Sequence, residues 1–293
     1  MFIIKYKWLF FILSGLAIVG SIVVIWTYGL RLGTDFTGGT ILEVRYLANQ
    51  PELELLKPAV AKLELGNIAL QPAGENNLIV RLRAIDQEEK GRLLEALAPN
   101  SASLEEIRFS SIGPIFGQEL ARRGLVAIGL VLVLILLFVA FAFRKVSRPV
   151  SSWKYGLIAL IALLHDLIIP TGVFAWLGAV RGVEIDALFL TGLLTIFGLS
   201  VHDTIVVFDR IREHLRNRVE TSFAATVGTS LQETFTRSVN TSVTIILSLL
   251  VLYFFGAEST KWFALLMAVG VFVGTYSSLF IASPLLGLWN KIS

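Results

Sequence analysis

The sequence contains no cysteine, so disulfides, thiolate metal sites and cysteine nucleophiles are excluded. Charge is also scarce: Asp, Glu, Lys and Arg make up 16% of the 293 residues, too few for an ordinary soluble enzyme of this length. The three histidines include no pair at metal-ligand spacing, there is no glycine-rich phosphate loop ending in Lys-Ser/Thr, and no nucleophile elbow occurs. Hydrolytic chemistry therefore has no residues to run on, no metal or organic cofactor is expected, and any work the protein does must be driven from elsewhere. The net charge of +3 is small, and its basic residues cluster beside apolar runs, where they report membrane topology and not nucleic-acid binding.

What the chain has instead is apolar length. Hydrophobic residues make up 55% of it, gathered into six runs long enough to cross a bilayer: Trp8–Tyr28, Leu125–Phe143, Tyr155–Gly178, Ala187–Phe208, Val239–Gly256 and Trp262–Trp289. The first follows Lys5 and Lys7 and lacks a small-residue cleavage pattern, so it reads as a signal anchor. Between the first two runs the periodicity changes. Thr40, Leu42, Val44 and Tyr46 alternate with Ile41, Glu43 and Arg45, and Leu78, Val80 and Leu82 alternate with Ile79, Arg81 and Arg83, as half-buried strands do. A helix over Pro51–Leu65 interrupted by Pro58, a weaker strand at Asn67–Gln71, a helix opened by Asp86 with Glu89 as a capping box, and a last strand at Leu104–Ser110 complete a β-α-β-β-α-β order. The expected class is thus a polytopic α-helical membrane protein of six spans with a small ferredoxin-like α+β domain. Its parts are residues 1–29 (first span), 30–123 (α+β domain) and 124–293 (a five-helix bundle).

Two glycine-rich stretches flank that domain. Gly33-Thr34-Asp35-Phe36-Thr37-Gly38-Gly39 can reach positive φ and bond its own backbone, which alone describes an ordinary tight turn, and Ile112-Gly113-Pro114-Ile115-Phe116-Gly117 breaks the last strand ahead of a polar shoulder at Gln118–Arg123. With the N-terminus inside, Lys5, Lys7, Arg144, Lys145, Arg148, Lys154, Arg210, Arg212, Arg216, Arg218, Arg237 and Lys291 fall on or near the cytoplasmic side, against Arg181 and Lys261 in short outer loops. That asymmetry puts both termini in the cytoplasm and residues 30–123 outside.

The fourth run carries His202 and Asp203 inside its apolar stretch. Counted from Ala187, Asp203 lies sixteen residues in, or about 24 Å along a helix, and an aspartate at depth costs roughly 2.5–3.5 kcal/mol on insertion scales. Such a residue points to ion, proton or substrate movement, or else to a wetted interhelical hydrogen bond near the cytoplasmic end. Arg237 stands at the mouth of the fifth run with Asn240 one turn later, and an Asp203–Arg237 pair fits a helical hairpin as well as a snorkelling Arg237 does. A carboxyl that moves between a dry site and one beside a guanidinium exchanges a proton, whereas arginine stays charged throughout. His165 and Asp166 in the third run are weaker candidates, because adjacent residues point to different helix faces and one of them is left to water or a neighbouring subunit.

Taken together, Gly33–Gly39, Ser111-Ile112-Gly113-Pro114 with Gly117, and the fourth-run stretch Val201-His202-Asp203-Thr204-Ile205-Val206-Val207-Phe208-Asp209-Arg210-Ile211-Arg212-Glu213 resemble the SecD/SecF family of protein-export membrane subunits, relatives of the resistance-nodulation-division transporters. The resemblance covers nearly the whole chain. It implies a six-span, SecF-like subunit of the bacterial cytoplasmic membrane that pairs with SecD into a twelve-span unit beside the SecYEG translocon, in contact with membrane lipids and preproteins. Such a unit would use the proton-motive force in late, ATP-independent export. It also implies a proton pathway through Asp203 and Arg237, beside which the residues themselves offer His202, Thr204, Asn240, His165 and Asp166 as supporting polar groups. His202 departs from the asparagine expected before that aspartate. The competing readings are a small-molecule or lipid exporter of the resistance-nodulation-division type and a passive scaffold, the second of which leaves Asp203 without a reason. Because the chain has no cysteine of its own, topology is directly readable: Ser101→Cys should react with an impermeant maleimide from outside and Thr221→Cys should not. The reverse labelling would sink the orientation.

Overall fold

The computed structural model describes residues 2–47, 50–73, 76–99, 103–144, 151–220 and 222–292. Ser101, Thr221, Lys145 and Arg148 lie outside the described residues. The chain forms two compact units, one of Leu32–Leu125 and one of Met1–Arg31 with Val126–Ser293.

In the smaller unit a single-turn helix α3 (Thr34–Thr37) precedes strand β1 (Gly39–Tyr46), followed by helix α4 (Leu53–Ala61), β2 (Ala69–Ala73), β3 (Asn77–Leu82), α5 (Gln87–Leu97) and β4 (Leu104–Ile112). The sheet order is β2-β3-β1-β4, antiparallel throughout, with Thr40 opposite Leu82 and Val44 opposite Leu78. This is the expected split βαβ, ferredoxin-like arrangement. The alternation read from the sequence is the burial pattern: Leu42, Val44, Tyr46, Leu78, Val80 and Leu82 face the core, where α4 supplies Leu56 and Val60 and α5 supplies Leu93 and Leu97. Tyr46 closes that core by donating to the Leu97 carbonyl at 2.8 Å, and burial pushes its phenol up to about 12. The capping box forms in both directions, with Glu89 N–H donating to Asp86 at 2.8 Å and Asp86 N–H to Glu89 at 3.3 Å.

The two glycine-rich stretches, far apart in sequence, meet in space. Gly38 at φ 80° and Gly39 at φ 138° occupy conformations that side-chain-bearing residues rarely adopt. A Cβ on Gly38 would lie 2.5 Å from Pro114 Cα, and one on Gly117 would lie 2.8 Å from Gly38 N and Phe36 O. The turn is therefore more than ordinary: it is the seat on which the start of the next helix rests. That helix, α6 (Pro114–Ala142), begins at the proline, so the polar shoulder Gln118–Arg123 is already helical. Proline suits the first helical position, and the Glu119–Arg123 pair at 2.7 Å supports the first turns.

The larger unit begins with a short N-terminal helix α1 (Phe2–Lys5) and α2 (Lys7–Tyr28), and continues with the membrane part of α6, α7 (Ser152–Arg181), α8 (Ala187–Asn217), α9 (Phe223–Phe255), α10 (Glu258–Ser277), a π-helical turn (Ser278–Ala282) and α11 (Ser283–Ile292). Among the described residues six helical stretches are long and apolar enough to span a membrane, the last running from Glu258 to Trp289 through the π turn. Helices α8 and α9 extend past the apolar runs that predicted them, to Asn217 and from Phe223, because the polar segment between those runs is itself helical: Ser222 caps α9, and Arg210 binds Glu213 along α8 and Glu233 across the hairpin.

Helices α8 and α10 approach through small residues four apart. A Cβ on Gly192 would meet Leu266 at 2.7 Å, one on Gly270 would meet Ile196 at 2.1 Å, and one on Gly274 would meet Ser200 at 3.1 Å, while Thr204 bonds Ser278 at 2.9 Å one turn on. Residues 192, 196, 200 and 204 thus mesh with 266, 270, 274 and 278, the close packing that apolar helices need in lipid, where exclusion from water no longer drives association.

Two substitutions test these contacts in the full-length protein. Gly38→Val is expected to destabilise the smaller unit by about 2 kcal/mol or more, seen as faster proteolysis within residues 32–125 and a lower unfolding temperature. Gly274→Leu overpacks the α8–α10 seam and should cost roughly 1–3 kcal/mol, seen as earlier thermal aggregation in mild detergent, while Gly129→Leu, with open space around it, should leave both measurements unchanged.

Candidate functional site

The α8–α10 seam places two carboxyls. Asp203, half-buried on α8, faces a small cavity of about 40 Å³ bounded by α8, α9 and α10, which has room for about three waters at ~10–15 Å³ each. Its lining includes Ser200 and His202 from α8, Thr241 and Ser242 from α9, and Gly274 and Thr275 from α10. Thr275 donates to Asp203 Oδ2 at 3.3 Å and so accepts from Ser242 at 2.5 Å, and the Ser242 hydroxyl, with its one proton, can donate instead to the Ser238 carbonyl at 2.8 Å when it leaves Thr275. A hydroxyl chain therefore runs from α9 through α10 to the carboxyl on α8. Hydroxyls that both donate and accept, next to a cavity able to hold water, are the parts a proton transfer route uses.

The expected Asp203–Arg237 ion pair is not formed: among the described residues no ion pair joins them, and Arg237 is exposed on α9. The geometry gives the reason. Arg237 stands fourteen residues into α9 and Asp203 fourteen residues before the end of α8, so the two are at comparable depth in the hairpin. At Asp203, however, α9 turns the buried Ser242 and, a turn further on, Ile245 inward, while Arg237 lies on the exposed face with Thr241. Asn240 and His202 are likewise exposed, whereas Thr204 is buried against Ser278.

The second carboxyl corrects the sequence reading more strongly. His165 and Asp166, expected to point apart with one of them meeting water or a neighbour, are both inside the bundle, 2% and 0% exposed. The imidazole folds back along α7 so that its Nδ1 lies 2.8 Å from Asp166 Oδ1, while Ser200 from α8 and Ser277 from α10 donate to Oδ2 at 2.5 and 2.8 Å. The His165 ring stacks on Tyr276, with 6.1 Å between centroids, and Tyr276 in turn donates to the Phe10 carbonyl of α2 at 3.1 Å. Sequence reasoning missed Ser200, Ser242 and the run Thr275-Tyr276-Ser277-Ser278. Their signal was present as four consecutive hydroxyl-bearing residues inside an apolar span. No group of three or more His, Asp or Glu able to hold a metal occurs among the described residues.

Against known proteins, residues 93–292 match the family profile described as protein export membrane protein SecD/SecF, C-terminal, and residues 23–46 match the SecD/SecF GG motif. The second match contains Gly38 and Gly39. The protein translocase subunit SecF of Thermobaculum terrenum is 43% identical over 99% of this chain and 94% of its own length, and that of Anaerolinea thermophila is 33% identical over 97% and 92%. Among solved structures, the crystal structure of SecDF, a translocon-associated membrane protein from Thermus thermophilus, superposes with a TM-score of 0.81 at 31% identity over 98% of this chain, and SecDF in its super-membrane-facing form with 0.66 at 32% over 99%. The chain spans about 38% of the length of either SecDF chain. With both its bundle and its glycine turn matched, this chain belongs to the SecD/SecF family of protein-export membrane proteins.

Proposed function

We propose that the chain is the SecF subunit of a bacterial Sec protein translocase, working with SecD beside SecYEG. In this reading the proton-motive force drives late preprotein translocation across the cytoplasmic membrane, with both termini inside and residues 30–123 in the periplasm. The observation that carries the mechanism is the Asp203 carboxyl, held by one hydroxyl on the wall of a water-sized cavity between three spanning helices. A membrane potential supplies about 2.3 kcal/mol per charge per 100 mV, and a carboxyl at that depth is a group through which it can act.

A partner subunit is supported by what α8 and α9 leave uncovered. Thr191, Thr195, Gly198 and His202 are exposed along one face of α8, and Arg237, Thr241, Thr244 and Ser248 along one face of α9. The threonine and serine hydroxyls at 191, 195, 244 and 248 bond back to carbonyls four residues earlier, but an imidazole and a guanidinium within spanning helices call for protein and not lipid around them. A second six-span subunit meeting this face would enclose Asp203, and Arg237 can then act as counter-ion when the helices shift. The exporter alternative has no observation in its favour, since the outer unit is one small domain and the curated relatives are named as translocase subunits.

The test is chase of a trapped preprotein in inverted vesicles, with and without a proton gradient. Asp203→Asn keeps shape and removes titration, so SecD should still co-purify while the gradient-dependent part of the chase falls to background. Arg237→Met should show the same defect, and the double variant should be no worse than either single one, because groups acting as a unit lose their function once. Normal gradient dependence in Asp203→Asn would return this helix to a structural role.

A further inference from the structure

The proton route through Asp203 leaves the His165–Asp166 pair without a task, yet both residues are almost wholly buried in the bundle. Burying a carboxyl is costly, and an apolar residue or an amide would hold three helices together at less expense. Three donors converge on Asp166, and the opposite nitrogen of its neighbour, His165 Nε2, is buried with no hydrogen-bond partner. An unsatisfied ring nitrogen in a spanning bundle is a standing cost that calls for an explanation. With Nδ1 committed to Asp166, Nε2 is the open position for a proton.

The pair is also wired to Asp203. Four consecutive residues at the end of α10 and the start of the π turn take turns between the two sites. Thr275 donates to Asp203, the Tyr276 ring lies on His165, Ser277 donates to Asp166, and Ser278 bonds Thr204. Ser200, the other hydroxyl on Asp166, sits one turn before Asp203 on α8 and lines its cavity. The π turn follows at once, with Ser283 donating to the Ser278 carbonyl five residues back at 2.9 Å, and such turns recur where a helix changes register for function. The ionisable groups on the elements packed here are His202 and Asp203 on α8 and Tyr276 on α10, while α2 brings the Ser14 hydroxyl, 3.2 Å from Tyr276.

We infer that His165 and Asp166 form a second proton-binding site behind Asp203, open at His165 Nε2, and that the segment 275–278 couples its occupancy to that of Asp203. Uptake forms one N–H bond at Nε2. The Nδ1 proton either stays in its hydrogen bond or crosses to Asp166 Oδ1. Both arrangements gain one proton in total and turn a buried carboxylate beside a neutral imidazole into a pair with no net charge. His165 and Asp166 act here through Thr275 and Ser277 and so position the Asp203 site. The inference deepens the proton-path reading above and depends on it only for the coupling.

Nitrogen-15 histidine spectra of the full chain in lipid nanodiscs, titrated with acid and base, test it. The chain has three histidines, and the signal lost in His165→Gln identifies the one in question. The expected result is that His165 gains a proton at Nε2 within the titrated range, with a midpoint that is displaced in Asp203→Asn. Thr275→Val cuts the contact while keeping the carboxyl and should displace the midpoint too, so the coupling stays readable if Asp203→Asn folds poorly. Ser277→Ala should leave the titration in place but remove its sensitivity to Asp203. A His165 signal that holds one protonation state across the range, or a midpoint indifferent to both changes, overturns the inference. If His165 behaves as expected while Asp203→Asn supports normal gradient-driven chase, the export mechanism fails and the buried site stands; the opposite pairing of results fails the buried site alone.

Discussion

The close approach of α8 and α10 is the contact on which the rest of the membrane unit depends. Residues 192, 196, 200 and 204 of one helix mesh with 266, 270, 274 and 278 of the other, and at three of those levels one partner is glycine. In lipid the helices gain little from hiding apolar surface, so short interatomic distances and interhelical hydroxyl bonds must hold them. Because the backbones come this near, short side chains suffice to bridge them. Ser200, Thr204, Thr275, Ser277 and Ser278 all find partners across or beside the seam. Longer residues there would separate the helices and strand both carboxyls.

That constraint explains why polar groups accumulate on one side of the bundle. Once the seam exists, a carboxyl on α8 and another on α7 can each be met by a hydroxyl from α10, and the cost of keeping them in an apolar setting falls. Asp166 is fully enclosed and multiply bonded, whereas Asp203 opens on a small cavity and on the exposed stripes of α8 and α9. The second arrangement meets water and a partner surface directly, whereas the first reaches its surroundings only through the residues packed on it. In the smaller unit the same economy of size operates, since Gly38 and Gly117 let the chain before β1 touch the first turn of α6.

Much of this was legible in the residue order. Six apolar runs predicted six spanning helices, and period-two alternation at 40–46 and 78–83 predicted strands whose inward residues are those now buried. The Asp86–Glu89 box marked the start of α5. These features are local: they depend on spacing within a dozen residues, where helix and strand geometry translates directly into pattern. The aspartate in the fourth span was conspicuous for the same reason, as a charge inside a hydrophobic run.

Partners across helices were not legible. The sequence suggested Arg237 for Asp203 because opposite charges at similar depth attract attention, but helix rotation decides which side chain of α9 faces inward, and it turned Ser242 there. It suggested that His165 and Asp166 diverge, because successive residues on a helix point about 100° apart, yet an imidazole is long enough to curl back onto its neighbour when α8 and α10 close the space around it. The chain by itself determined the class, the spans, the ferredoxin-like domain and the presence of a deep carboxyl, since each follows from local composition and period. Only the tertiary structure decided which hydroxyls meet which carboxyl, that two distant glycine-rich stretches form one seat, and that a π turn follows both sites, because these depend on the rotation and separation of packed helices, which no local pattern encodes.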